Sequence, residues 1–226
     1  MKLLQKINKY SGLTNSVLFA SSAAIMLYIA RNLVTGTPQF SFMAWNLVLS
    51  LLALGASILF VIYYSANKKY LATLLFVVWL LLLPNTFYML TDFVHVKESG
   101  DINLLFDIVM IGLFAMNGFV HGIMSLFIVH RSLLKRHGRR YVHGLIIVII
   151  LASSFAIDMG RYLRWNSWDV IVNPRSLIFD ISDTLLNPTN YNRSFLITGV
   201  FFVTIGSLYM VFWQLSKLKW SKDGSI

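Results

Sequence analysis

Charged residues are missing from this chain over stretches that match the thickness of a lipid bilayer. Between Lys9 and Arg31 lie 21 residues with no Asp, Glu, Lys or Arg, and between Arg31 and Lys68 lie 36. The gaps from Lys69 to Asp92, Asp107 to Arg131, Arg140 to Asp158 and Arg193 to Lys217 hold 22, 23, 17 and 23. A helix that crosses a bilayer needs about 20 mostly apolar residues, with a range of roughly 17–25. All six gaps reach that range, and the 36-residue gap has room for a span and a loop. Only 12% of the 226 residues are charged and 57% are hydrophobic, whereas about a quarter of a soluble domain is charged. An ordinary soluble domain and a disordered chain are both excluded.

The chain therefore reads as an all-α, polytopic membrane protein, a single domain over 1–226 with six transmembrane helices. The spans are expected near 13–30, 42–64, 70–95, 104–129, 142–160 and 195–214. The basic start Lys2, Lys6 and Lys9 resembles a signal peptide, but the apolar run continues through Ile25–Ala30, beyond the roughly 7–15 residues of a cleaved segment. An uncleaved first span is expected. There is no cysteine, hence no disulfide, thiolate nucleophile or cysteine-ligated metal.

Net charge is +10. In a soluble protein that would suggest nucleic acid; here the placement of the charges explains it. With both termini in the cytoplasm, 13 of the 19 Lys and Arg fall inside, and of the nine acids only Asp223 does. This satisfies the positive-inside rule and gives an N-in/C-in orientation with no nucleic-acid partner. The basic run Arg131–Arg140 reads as a topology determinant, with anionic-lipid binding as its alternative.

Ionisable groups within spans are costly and usually functional. Asn85, Tyr88, Asp92 and His95 fall within about 80° of one another on a helix, beside Pro84, which frees a backbone carbonyl. This stripe suggests a shaped cavity near the outer end of the third span; the alternative is a helix end whose Asp and His simply meet water. In the fourth span Asp107, Asn117 and His121 also share a face. Asp107 suits the first helical turn, and Asn117 and His121 are expected to bond a neighbouring helix. Asn46, Ser50, Ala53 and Ser57 read as a packing face. Asp158 sits where the helix dipole disfavours an anion, so an ion pair with Arg161 at i+3 is expected, leaving Arg164 as a cation for a ligand. In the outer loop 161–194, Pro174 can open a helix, and Ile178, Ile181 and Leu185 among Asp180 and Asp183 predict a short amphipathic helix at the outer surface.

Two segments, Leu83-Pro84-Asn85-Thr86-Phe87-Tyr88-Met89-Leu90-Thr91-Asp92-Phe93-Val94-His95 and Gly160-Arg161-Tyr162-Leu163-Arg164-Trp165-Asn166-Ser167-Trp168-Asp169, resemble the bacterial integral membrane family catalogued as domain of unknown function 1361. The resemblance covers most of the chain. It implies a multi-pass protein of a bacterial cytoplasmic membrane and carries no activity with it.

Three functions compete. The first is an enzyme acting on a lipid or an anionic lipid-linked substrate at the outer leaflet. Asp92 or Asp107 would be its general base and His95 would exchange protons. Arg161 and Arg164 would hold a phosphate or carboxylate, and Asn85, Tyr88 and Asn166 would orient it. The second is a structural or partner-binding membrane protein. The third is a small-substrate transporter or its binding subunit. No cofactor is expected. Catalytic zinc uses three protein ligands rich in His, or Cys with His, and only His95 lies on the outer side. One imidazole among carboxylates suits a hard divalent cation instead. The membrane lipids are the expected partners, and oligomeric state is not legible.

Overall fold

The computed structural model describes residues 11–96 and 104–218. No strand occurs among them. The long helices are α1 (Ser11–Thr35), α2 (Ser41–Ser65), α3 (Lys69–Tyr88), α4 (Leu104–Leu133), α5 (Arg139–Tyr162) and, after two shorter helices, α8 (Asn192–Leu215). Six helical segments are long and apolar enough to span a membrane, the third being α3 with the 3-10 turn that follows it. Most helices run past the expected span ends, because they continue into the polar zone where charges are tolerated.

The third span departs from expectation. It is not a single α-helix to residue 95. Pro84 lies inside α3 and the helix continues past it to Tyr88. It then tightens into a 3-10 segment, Met89–His95. At this point α4 approaches closely. A Cβ on Gly118 would meet Met89 Cε and, at 2.5 Å, the backbone oxygen of Thr86; one on Gly122 would meet the Thr86 hydroxyl and the Phe87 ring. This Gly118-x-x-x-Gly122 pair brings two backbones together as small residues do between membrane helices.

Loop chemistry explains the turns. Gly36, at φ +67°, ends α1 and donates its N–H to Asn32 O at 2.8 Å, the usual C-terminal role of glycine. Asn67, at φ 61°, does the same after α2. Its N–H reaches Tyr64 O and that of Lys68 reaches Tyr63 O, the paired bonds of a Schellman cap.

The chain divides into two compact units, residues 1–136 and 137–226, with the boundary inside the basic run Arg131–Arg140. In the first unit α2 packs against α3 and α4, and α1 packs against α4. A core of Ala24, Phe40, Met43, Leu47, Met89, Met110, Ile111, Phe114 and Ala115 ties α1, α2, α4 and the 3-10 segment together.

The second unit pairs α5 with α8. His143 and Trp213 stack edge-on at 6.0 Å, and the Arg193 guanidinium lies 3.7 Å over the Tyr162 ring. One end of each helix thus meets the opposite end of the other, and the pair is antiparallel. Between them lie α6 (Asp169–Val172) and α7 (Pro174–Leu186), and Pro174 opens α7 as its sequence suggests. Ile178, Phe179 and Leu186 are exposed, so this short helix carries an apolar face.

Candidate functional site

The polar residues of the first unit gather where α1 ends and α4 begins. Arg31, in the last turns of α1, is 1% exposed. Its Nε donates to Asp107 Oδ1 at 2.7 Å, and its Nη2 donates to Asp107 Oδ2 at 3.2 Å and to Gln39 Oε1 at 3.0 Å. The guanidinium carbon lies 4.5 Å over the Phe40 ring. Nη1 is buried without a hydrogen-bond partner. A planar fork that binds both carboxylate oxygens and stacks on an aromatic face is the geometry arginine favours over lysine. Sequence reasoning placed Arg31 only among the topology charges and so missed this pair. The available signal was two opposite charges at the same end of two spans.

From this pair a row of rings leads to the 3-10 segment. Phe40 meets Phe42 edge-on at 6.2 Å, and Phe42 meets His95 edge-on at 5.2 Å. In a 3-10 helix residues i and i+3 eclipse, so Met89, Asp92 and His95 fall in one line. Met89 and Asp92 are fully buried, whereas His95 is exposed. Phe93 and Val94, beside His95, are exposed as well. Asn85 and Tyr88 are half-buried on α3, and the Asn85 amide donates to Leu82 O at 3.3 Å.

Deeper in the unit, polar side chains fasten helices. His121 Nδ1 and Ser50 Oγ are 2.8 Å apart. The Trp79 indole donates to Ser125 Oγ at 3.1 Å. The Asn117 amide donates to Leu113 O at 2.8 Å and reaches Ala20 O on α1 at 3.4 Å. The expected roles of Asn117 and His121 are met, and Ser50, Ala53 and Ser57 are buried in the packing face.

Arg161, Arg164 and Asn166 belong to the second unit. After α5 the chain turns on Arg164, which is exposed and held at φ 60°. The turn lets Trp165 N–H reach back to Met159 O at 3.3 Å. The Trp165 indole donates to Asp180 Oδ2 at 2.8 Å, and Asn166 N–H donates to Asp169 Oδ2 at 2.6 Å. The second sequence motif is thus a closed turn fixed to α6 and α7. Tyr191 O–H donates to Asp183 Oδ2, and this bond holds the phenol above the ordinary tyrosine range. The tie is present below the ordinary value and is lost only as pH rises through the raised one. The expected Asp158–Arg161 pair is not formed: neither Asp158 oxygen has a hydrogen-bond partner. Arg161, on the last turn of α5, interacts elsewhere.

No curated protein and no solved structure matches this chain. A family model described as "Protein of unknown function (DUF1361)" matches residues 45–207. That stretch runs from α2 into α8 and includes both motifs and every site residue expected from the sequence, but not Arg31, Gln39, Phe40 or Phe42. With six helices of membrane-spanning length and a match over most of its sequence, this multi-pass membrane protein belongs to the DUF1361 family.

Proposed function

We propose that the first unit acts on an amphiphilic, lipid-class substrate, with Asp92 as general base and His95 as its proton-exchanging partner. The observation that carries this reading is the pairing of a fully buried carboxylate with an exposed imidazole one 3-10 turn away. Burying an acid in an apolar span is costly, and an ionisable residue there is a functional-site candidate by default. The general-base role falls to Asp92 because both oxygens of Asp107 accept from Arg31, which makes that pair a brace for the site. Phe93 and Val94 give the 3-10 segment an apolar surface beside His95, suited to an acyl chain. In the second unit, exposed Arg164 and Asn166 are proposed to meet anionic headgroups at the membrane surface, with Arg161 in support. Asn85 and Tyr88 are proposed to orient substrate at the end of α3.

The proposed setting is a cytoplasmic membrane with both termini inside, for which 13 of 19 basic residues on one side are the support. No resident metal is part of the proposal. A second reading, a membrane scaffold without chemistry, draws on Arg31–Asp107, His121–Ser50 and Trp79–Ser125, which spend polar groups on fastening helices.

Lipid analysis of purified protein separates the two. Substrate should accumulate on the inactive Asp92→Asn variant and be depleted on the native chain. The same lipid profile on native protein, Asp92→Asn and His95→Ala supports the scaffold.

A further inference from the structure

The second unit holds a buried carboxylate that its own chain leaves uncompensated. Asp158 is 1% exposed, and both of its oxygens lack a hydrogen-bond partner. It lies in the penultimate turn of α5, where the partial negative charge of the helix end repels an anion and attracts a cation.

The register of α5 on α8 identifies what stands opposite. Fifteen residues along α5 from His143 is Asp158, and fifteen residues back along α8 from Trp213 is Thr198. His143 and Trp213 touch and the helices are antiparallel, so equal steps of 1.5 Å per residue reach the same level. The Tyr162–Arg193 contact, one turn beyond, confirms the register from the other end. Thr198 is 8% exposed, and its Oγ1 also lacks a partner. Ser154, four residues before Asp158 and on the same face, donates to Ile150 O at 2.8 Å. Its lone pairs remain available.

We propose that Asp158 and Thr198, with Ser154, form a binding site for a small monovalent alkali cation between α5 and α8. The donor set is all oxygen, which selects hard cations over transition metals. One carboxylate balances one positive charge; a divalent ion would keep an excess charge in an apolar interior. Among the described residues no group of three His, Cys, Asp or Glu could hold a metal. Neither Arg161, three residues on, nor Arg193, near the start of α8, takes the place of the ion. Arg161 does not bond Asp158, and Arg193 is spent on the Tyr162 ring. Helix C-terminal ends are known sites for Na⁺ in membrane proteins.

The test uses the full chain in detergent, with Na⁺ as the probe. Thermal unfolding is followed while NaCl replaces choline chloride at constant ionic strength. A ligand that binds only the folded state raises the melting temperature in a saturating way. We expect that rise in the native chain, its loss in Asp158→Asn, and a several-fold weaker apparent affinity in Thr198→Val. Thr198→Ser should behave as the native chain. Binding of radioactive sodium should reach one ion per chain. An identical melting temperature in sodium and choline with no sodium bound overturns the proposal. So does an undiminished response in Asp158→Asn. If that variant does not fold, an equal sodium response in Thr198→Val and Thr198→Ser overturns it instead.

Discussion

Arg31 and Asp107 show what a single residue costs when it is buried beside lipid. Each is almost wholly buried, and each would be an uncompensated charge without the other. Removing one partner of such a pair costs about 3–5 kcal/mol, whereas replacing both by apolar residues of similar volume is often neutral. Arg31→Met and Asp107→Leu should therefore each lower the folded fraction and melting temperature sharply, and the double variant should recover most of the loss. Thermal unfolding of the four proteins in one detergent measures the coupling. A double variant no more stable than the singles would remove the brace role. Both charges were visible in the sequence as span-end residues. Their pairing was not, because 76 residues separate them and charge spacing does not say which helices are neighbours. Asp158 shows the converse. An i+3 cation is within reach on a helix, yet the structure leaves the carboxylate without it, because the direction a side chain takes depends on packing beyond its own helix.

At the scale of elements, two glycines decide how α3 and α4 meet. An added methyl at Gly118 would press on the Thr86 backbone, which cannot swing aside, whereas at Gly112 the nearest atom is the Phe93 ring at an ordinary 3.7 Å. Overpacking of this kind costs about 1–3 kcal/mol. Gly118→Ala should lower the melting temperature by several degrees, and Gly112→Ala should leave it close to native. Equal effects from both would mean that close packing does not set the α3–α4 approach. The six long helices and the start of α7 at Pro174 could be read from charge gaps and one proline. The 3-10 ending of the third span could not. Pro84 lies within the helix and does not mark the change, which begins at Met89, a residue packed against Gly118 on another helix. The Gly118-x-x-x-Gly122 spacing was the available signal. The line through Asp92 and His95 survives the change because residues three apart stay neighbours in either helix type.

For the whole molecule, the net charge of +10 and the scarcity of charge elsewhere describe a chain built for two environments. The division at Arg136 falls in the densest basic run, which composition marked as a loop but not as a boundary between units. If the basic segments face the cytoplasm, a cysteine at Ser176 reacts with an impermeant maleimide on intact cells and one at the exposed Gly138 does not. The natural absence of cysteine leaves no background. Labelling of Gly138→Cys alone would reverse the orientation. Helix number and family could be read from sequence because both rest on patterns that extend along the chain. The functional reading rests on a few side chains and is tested directly by complementation. Cells lacking the gene are supplied with the native chain, Asp92→Asn, His95→Ala or the Arg31→Met/Asp107→Leu double variant, at matched protein levels. The account predicts that the native chain and the double variant restore the phenotype and that Asp92→Asn and His95→Ala do not; full restoration by both Asp92→Asn and His95→Ala would contradict it.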